Sequence, residues 1–299
     1  MRGQVIRSQS GFFTVSTADG PLTCQLRGRL KRGPRRGDMA AVGDWVEVTR
    51  LHGQAGMIEA VEPRHSLFTR LAPDPHGAYQ QILIANPDQV VMVFACAEPL
   101  PRFGMLDRFL VIAERQGLPA LIVANKVDLV GDEFAQEMFG HYPPLGYDVI
   151  YASTLTGQGV DELRAHLSGR LSLMTGPSGA GKSSLLNVVQ PGLGLQVRAV
   201  SQATSKGRHT TVVREMFPLA GGGYVADTPG LKALALWDIE PEELDGYFPE
   251  LRALVAQCQF SNCTHEHEPG CAVLQALEDG RVHPERYNSY LHMRFGEQD

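Results

Sequence analysis

The octapeptide Gly176-Pro-Ser-Gly-Ala-Gly-Lys-Ser183 fits the pattern G-x-x-x-x-G-K-[ST], and no other stretch constrains the chain so tightly. A loop of this kind turns successive backbone N–H groups toward phosphate oxygens, so glycines stand where a side chain would block the approach. Lys182 is then expected to reach the β and γ phosphates, and Ser183 to offer its hydroxyl to Mg2+. Leu171-Ser-Leu-Met-Thr175 reads as a short strand entering the loop, and an amphipathic helix is expected from Ser183 onward, its positive end facing the anion. A Gly-rich structural turn is the competing reading, but it requires neither neighbour. The expected contact set is Gly176, Ser178, Gly179, Ala180, Gly181, Lys182, Ser183 and Ser184.

Upstream of this loop the chain alternates continuous apolar strands with helices. Residues 89–96 and 120–124 read as buried strands, and 105–116 as an amphipathic helix closed by Gly117, which together predict a parallel sheet covered on both faces. Directly after the second strand stands Asn125-Lys126-Val127-Asp128. A carboxylate at that strand end accepts two hydrogen bonds from the N1–H and 2-amino group of guanine, which adenine does not supply; Asp128 is therefore the expected specificity element, with Asn125 and Lys126 bracing the pocket. An ordinary N-K turn is the alternative for this tetrapeptide taken alone. A further strand at 147–151 leads into Ala152-Ser153-Thr154, where a backbone N–H is expected against guanine O6, and then into a helix at about 160–167.

Downstream of the phosphate loop come Lys206-Gly-Arg-His209-Thr210-Thr211 and Tyr224-Val-Ala-Asp227-Thr-Pro-Gly230. A threonine hydroxyl of the first segment is expected to complete the Mg2+ shell, Asp227 to hold a water on the same metal, and Gly230 to give its N–H to the γ phosphate. Leu231 stands where many GTPases carry a water-orienting glutamine, so His209, with Thr210 and Thr211, is the expected catalytic segment; a solvent-facing loop histidine is the alternative. The order of these parts is unusual, because the guanine-reading motif precedes the phosphate loop instead of following D-x-x-G. Beyond Gly230 the only lysine is Lys232, so no second N-K-x-D exists, and the nucleotide domain is circularly permuted.

The two flanks differ from this centre. Residues 4–68 show short alternating runs separated by turns, which predict an OB-type β-barrel. They also carry the basic loop Arg27-Gly-Arg-Leu-Lys-Arg-Gly-Pro-Arg-Arg36, and residues 1–71 hold 11 Lys+Arg against 6 Asp+Glu in a chain whose net charge is −6. A basic module on an acidic protein suggests contact with an RNA backbone, against the alternative of a solvated mobile loop. At the other end Cys258, Cys263, His265 and Cys271 supply a Cys3His set for one Zn2+, with His267 as the rival fourth ligand. Cys24 and Cys96 lie apart from it and read as packed thiols. No apolar run approaches the roughly 20 residues that cross a bilayer, and the first residues lack a signal peptide's apolar segment, so a cytoplasmic, non-membrane protein is expected.

The permuted order of N-K-V-D, G-P-S-G-A-G-K-S, H-T-T and D-T-P-G, followed by C-x4-C-x-H-x5-C with Glu268-Pro-Gly-Cys271, resembles the RsgA (YjeQ/YloQ) family along nearly the whole chain. The resemblance implies an N-terminal OB-type barrel over 1–70, a circularly permuted α/β GTPase domain over 71–236 and a small α-helical zinc-binding domain over 237–299. It further implies a monomeric GTP/GDP-binding factor acting late in assembly of the small ribosomal subunit, binding its rRNA through barrel and zinc domain, meeting other assembly factors, and leaving on subunit-stimulated hydrolysis. Two departures stand out: Thr154 occupies the place of the family's usual alanine after Ser153, and no long basic extension precedes the barrel. Two other functions compete: a nucleotide kinase, since the loop also resembles that of guanylate kinase, which needs no N-K-x-D, and a GTP-regulated RNA-binding adaptor with no ribosomal role.

Overall fold

The computed structural model describes residues 1–31, 38–72, 79–195, 214–227 and 239–296. Five strands come first: β1 (Arg2–Gln9), β2 (Phe12–Thr17), β3 (Gly20–Leu26), β4 (Trp45–Arg50) and β5 (Ala55–Val61). Apolar residues recur at every second position, so one face of each strand closes over a common core that includes Val5, Val15, Leu22, Cys24, Val46 and Ile58. Pairing runs β1-β2-β3-β5-β4 and returns to β1, with β3 and β5 parallel and the other pairs antiparallel. This is the expected barrel. Its first strand also serves the next sheet: a bulge between Val5 and Arg7 bends β1, so that Arg2 to Gln4 pair with β4 while Arg7 and Ser8 pair with Glu215 and Arg214.

A hairpin of β6 (Leu67–Ala72) and β7 (Tyr79–Ala85) follows, and it crosses the position at 70/71 where the composition changes. Sequence patterning leaves it unread, because the polar turn-rich residues from 74 to 79 obscure the alternation on either side. The α/β part then runs β8 (Gln89–Ala95), α1 (Phe103–Arg115), β9 (Ala120–Asn125), α2 (Asp132–Phe139), β10 (Asp148–Ala152), α3 (Val160–Leu167), β11 (Leu171–Thr175), α4 (Lys182–Val189), β12 (Arg214–Pro218) and β13 (Tyr224–Asp227). The strands are ordered β10-β9-β8-β11-β13-β12, parallel except for β12. Helices α1 and α2 cover one face through Leu106, Phe109, Leu110 and Phe139, and α3 and α4 cover the other through Leu163, Leu167, Leu185 and Leu186. β8 lies between the two layers and is buried along its whole length, as a central parallel strand must be.

The C-terminal part consists of a 3-10 helix at Pro241–Tyr247, α5 (Pro249–Arg252), α6 (Ala272–Glu278) and α7 (Pro284–Phe295). Its small core of Leu244, Phe248, Leu251, Val273 and Tyr290 is completed by Val111 from the outer side of α1. The same boundary holds a buried ionic network. Arg286 on α7 bonds Asp107 on α1 at 2.6 Å and Glu250 on α5 at 2.7 Å, and its guanidinium lies 4.5 Å from the centre of the Phe248 ring. Burial works against that charge, but the two carboxylates more than offset it and hold Arg286 protonated. Removing one partner from such a network leaves an uncompensated buried ion, and the network ties α7 to α1 and α5. No helix among the described residues is long and apolar enough to cross a membrane.

Candidate functional site

The C-terminal ends of β8, β9, β10 and β11 meet at one edge of the sheet, where Ala95 stands in register with Asn125 and Asn125 with Ala152. The phosphate loop leaves β11 at this edge. Gly176 takes φ +139°, and a Cβ there would stand 2.1 Å from the Val93 carbonyl oxygen, so only glycine lets the loop turn so closely over β8. Gly181 takes φ +89° immediately before α4, and a Cβ on it would stand 2.4 Å from Asn125 Nδ2. That contact is the join between the two motifs. Asn125 Nδ2 donates to the Ala180 carbonyl at 2.7 Å, with Asn125 only 1 % exposed. The N-K-V-D segment and the glycine-rich loop, 55 residues apart in the chain, are thus joined by a direct buried hydrogen bond. Lys182 Nζ donates to the carbonyls of Gly176 and Pro177, both at 2.8 Å, which keeps the ammonium over the loop.

Asp128 lies in the 3-10 turn that follows β9. Ser153, the first residue after β10, accepts the N–H groups of Leu155 at 3.1 Å and Thr156 at 3.2 Å, and donates its hydroxyl to Asp128 Oδ1 at 2.5 Å. Sequence reasoning assigned to this segment only a backbone contact; the hydroxyl clamp on Asp128 is new. Behind the pocket, burial together with the nearby Asp128 carboxylate pushes the Cys96 thiol up to about 11, a packed neutral group as expected. Lys126, at φ +61°, donates to the Glu98 carbonyl. Ser183 and Ser184 sit in the first turn of α4, and Asp227 ends β13 beside Met174. His209, Thr210, Thr211 and Gly230 lie outside the described residues.

The second constellation is the sulfur and imidazole knot. The ligand atoms of Cys258, Cys263, His265 and Cys271 all lie within 4.8 Å of one another. His265 Nδ1 faces Cys271 Sγ at 3.4 Å and Cys258 Sγ at 3.6 Å, while its Nε2 meets Asp245 Oδ2 at 3.2 Å. A carboxylate on the outer nitrogen orients a histidine so that the inner nitrogen faces a metal. Burial, with the neighbouring Cys271 and Cys258 sulfurs, pushes the Cys263 thiol up to about 12; a Zn2+ ion reverses that balance by stabilising thiolates. The donor set and spacing fit one zinc. His267 stays outside the knot with its side chain 80 % exposed. Asp245 carries no local sequence signal for its part, and Glu268, which stands in the Glu-Pro-Gly-Cys segment, had no role assigned to it. Burial alone would raise Glu268, but hydrogen bonds from the Thr264 N–H and hydroxyl, both 2.6 Å, and from the N–H groups of Glu266 and His267 hold it well below the usual carboxylate range.

A mostly parallel sheet that carries G-x-x-x-x-G-K-S after β11 and N-K-V-D after the earlier β9 has the order of a circularly permuted nucleotide-binding domain of the GTPase class. Residues 61–237 match the RsgA GTPase family and residues 2–58 the RsgA N-terminal domain. The chain is 46 % identical to the "Small ribosomal subunit biogenesis GTPase RsgA" of Gemmatimonas aurantiaca, covering 98 % of this chain and 96 % of that one. It is 42 % identical to the protein of the same name from Moorella thermoacetica, covering 97 % and 95 %. Among solved structures it resembles YjeQ from Thermotoga maritima, with a TM-score of 0.78, 35 % identity, and coverage of 99 % and 97 %. YloQ, described as a circularly permuted GTPase, aligns with a TM-score of 0.72, 31 % identity, and coverage of 99 % and 94 %. The chain belongs to the RsgA GTPase family, and it is a GTPase.

Proposed function

We propose that this GTPase acts in late maturation of the small ribosomal subunit in the cytoplasm, binding the subunit as a monomer and leaving when subunit-stimulated hydrolysis converts GTP to GDP. The observation that carries the nucleotide half of this reading is the Asn125 to Ala180 bond, which makes one site from two motifs whose order in the chain is reversed. On this reading Asp128, clamped by Ser153, accepts the guanine N1–H and 2-amino group, and the Thr154 segment supplies an N–H to O6. The N–H groups of residues 176–184, with Lys182, hold the phosphates. Ser183, Asp227 and a threonine of Thr210-Thr211 would hold Mg2+, which would supply neutralisation of phosphate charge; His209 would orient the attacking water and Gly230 would donate to the γ phosphate. One Zn2+ on Cys258, Cys263, His265 and Cys271 braces the C-terminal part.

The ribosomal half rests on the names of the relatives and on the charge distribution. The reading into a barrel over 1–70, a GTPase domain over 71–236 and a zinc domain over 237–299 groups the charge, although the β6–β7 hairpin runs across the 70/71 boundary. The barrel supplies phosphate-neutralising arginines. Residues 237–299 hold 13 Asp+Glu against 4 Lys+Arg, so their rRNA contact runs through shape and hydrogen bonding and not through counterion release. Co-sedimentation with purified small subunits tests the reading: association is expected with a non-hydrolysable GTP analogue and release with GDP. Tight guanine-nucleotide binding without any subunit association would favour the adaptor.

A further inference from the structure

The lobe of the α/β sheet that ends in the edge strand β10 carries charge of one sign. Residues 129–163 hold six Asp+Glu and no Lys or Arg, and all six acidic residues are exposed. Five of them stand at α2 and the start of α3: Asp132, Glu133, Glu137, Asp161 and Glu162. Beside them three large apolar side chains are left in water, Leu129 at 49 %, Phe134 at 52 % and Leu155 at 81 % exposure. We propose that this face docks a basic protein segment, one that sets Lys or Arg side chains against the carboxylates and apolar side chains against Leu129, Phe134 and Leu155. That the segment is found on the small ribosomal subunit rests on the proposed function.

Local bonding gathers the three side chains. The parallel register of β9 and β10 sets Asn125 beside Ala152, so the segments that follow the two strands run side by side. Leu129 adjoins Asp128, and the Leu155 N–H bonds the same Ser153 hydroxyl that clamps Asp128. Gln158 Nε2 donates to Asp132 Oδ1 at 2.8 Å, which ties that loop to the first turn of α2, where Phe134 stands. Phe134 and Glu137 are three residues apart on the helix and Glu133 and Glu137 four, so ring and carboxylates share one surface. The core does not need these side chains, because Val127, Ala135 and Phe139 already anchor the same elements in it. The nucleotide leaves part of the face open, since none of its expected contacts is on α2. Single exposed apolar residues are ordinary, but several on one rim mark a contact surface. Charge then selects the partner. RNA phosphates and anionic lipids meet like charge here, and a wholly apolar partner would cover carboxylates without a counter-charge. Arg164 pairs with Asp161, whereas Glu133, Glu137 and Glu162 have no ion-pair partner among the described residues. A protein segment with cations spaced between apolar side chains meets both demands.

The test uses the full-length zinc-loaded chain with GDP bound, and it has two arms. In the first, three short fluorescent peptides composed of Lys and Leu, Lys and Ser, or Glu and Leu are titrated by anisotropy. The Lys/Leu peptide is expected to bind tightest. Residues 237–299 are acidic as well, so the variants assign the binding to this face. Phe134→Ser should weaken the Lys/Leu peptide about 4- to 12-fold, the effect of burying half of a large apolar side chain, with GTP binding unchanged. Glu133→Gln combined with Glu137→Gln should weaken it about 2- to 30-fold and flatten its salt dependence. Equal binding by parent and Phe134→Ser, or equal binding of all three peptides, overturns the docking face. In the second arm a photoreactive benzoyl-phenylalanine at position 134 is irradiated with purified small subunits and a non-hydrolysable GTP analogue, with co-sedimentation measured in parallel. A crosslink to a Lys/Arg-rich stretch of a subunit protein is expected. A crosslink to RNA, or none although the chain co-sediments, overturns the proposal. Absence of co-sedimentation overturns the ribosomal reading instead, and the peptides then decide on the face alone.

Discussion

Replacing Asp128 by asparagine reverses a hydrogen-bonding face, and the surroundings of Asp128 fix which way the new amide must point. The Ser153 oxygen already accepts two backbone N–H groups, so its remaining capacity is the hydrogen it donates to Asp128 Oδ1. In Asp128→Asn the carbonyl oxygen must take that hydrogen, which turns the NH2 toward the base. Guanine then meets donors with donors at both N1–H and the 2-amino group. Asp128 is exposed in the free chain, and a bound base would cover it; loss of a charged partner in a site desolvated in that way costs about 2 to 5 kcal/mol, a weakening of about 30- to 5,000-fold in GTP affinity. Xanthosine triphosphate, whose 2-oxo group accepts from the new NH2, should recover much of the loss. Calorimetric titration of both nucleotides against parent and variant measures it, with thermal unfolding as a control for the fold. GTP affinity unchanged in the variant would refute the base-reading assignment; loss for GTP without gain for the xanthine nucleotide would refute the orientation argued from Ser153.

Metal analysis of the purified chain should return one zinc per molecule, and Cys263→Ala should lose it together with the folded C-terminal part while GTP binding by the remainder persists. Zinc retained in full by the variant would exclude Cys263 as a ligand. His209→Ala should keep its GTP affinity and lose the acceleration of hydrolysis by small subunits, which for a site completed in trans amounts to about 10³ to 10⁵; equal stimulated rates would remove His209 from the mechanism. His141 stacks on His283 with ring centres 4.0 Å apart, and burial, then His283 and Arg286, lower its pKa to about 4. The unfolded chain, near 6.5, takes up the proton first, so this contribution to stability is complete above pH 6.5 and is lost as the pH falls toward 4. His141→Phe keeps a ring in the stack and should show a smaller fall in melting temperature across that window, whereas superimposable profiles would rule the imidazole out.

Most of what identifies this protein lies in contiguous stretches of sequence, for a physical reason. A phosphate loop works by presenting neighbouring backbone N–H groups, so its glycines, lysine and serine must be neighbours in the chain. The order of the motifs revealed the permutation, and the spacing of three cysteines and a histidine pointed to the cluster that the fold brings together. Strand alternation was enough for the barrel. Tertiary structure decided what holds these parts in place. The bond from Asn125 to Ala180 spans 55 residues, the Ser153 clamp on Asp128 spans 25, Asp245 reaches His265 across 20, and Arg286 reaches Asp107 across 179. No periodicity or local propensity links such pairs, because each residue is ordinary in its own segment and gains its partner only when the sheet closes. The same holds for β1, whose bulge turns an ordinary barrel strand into the seam with β12.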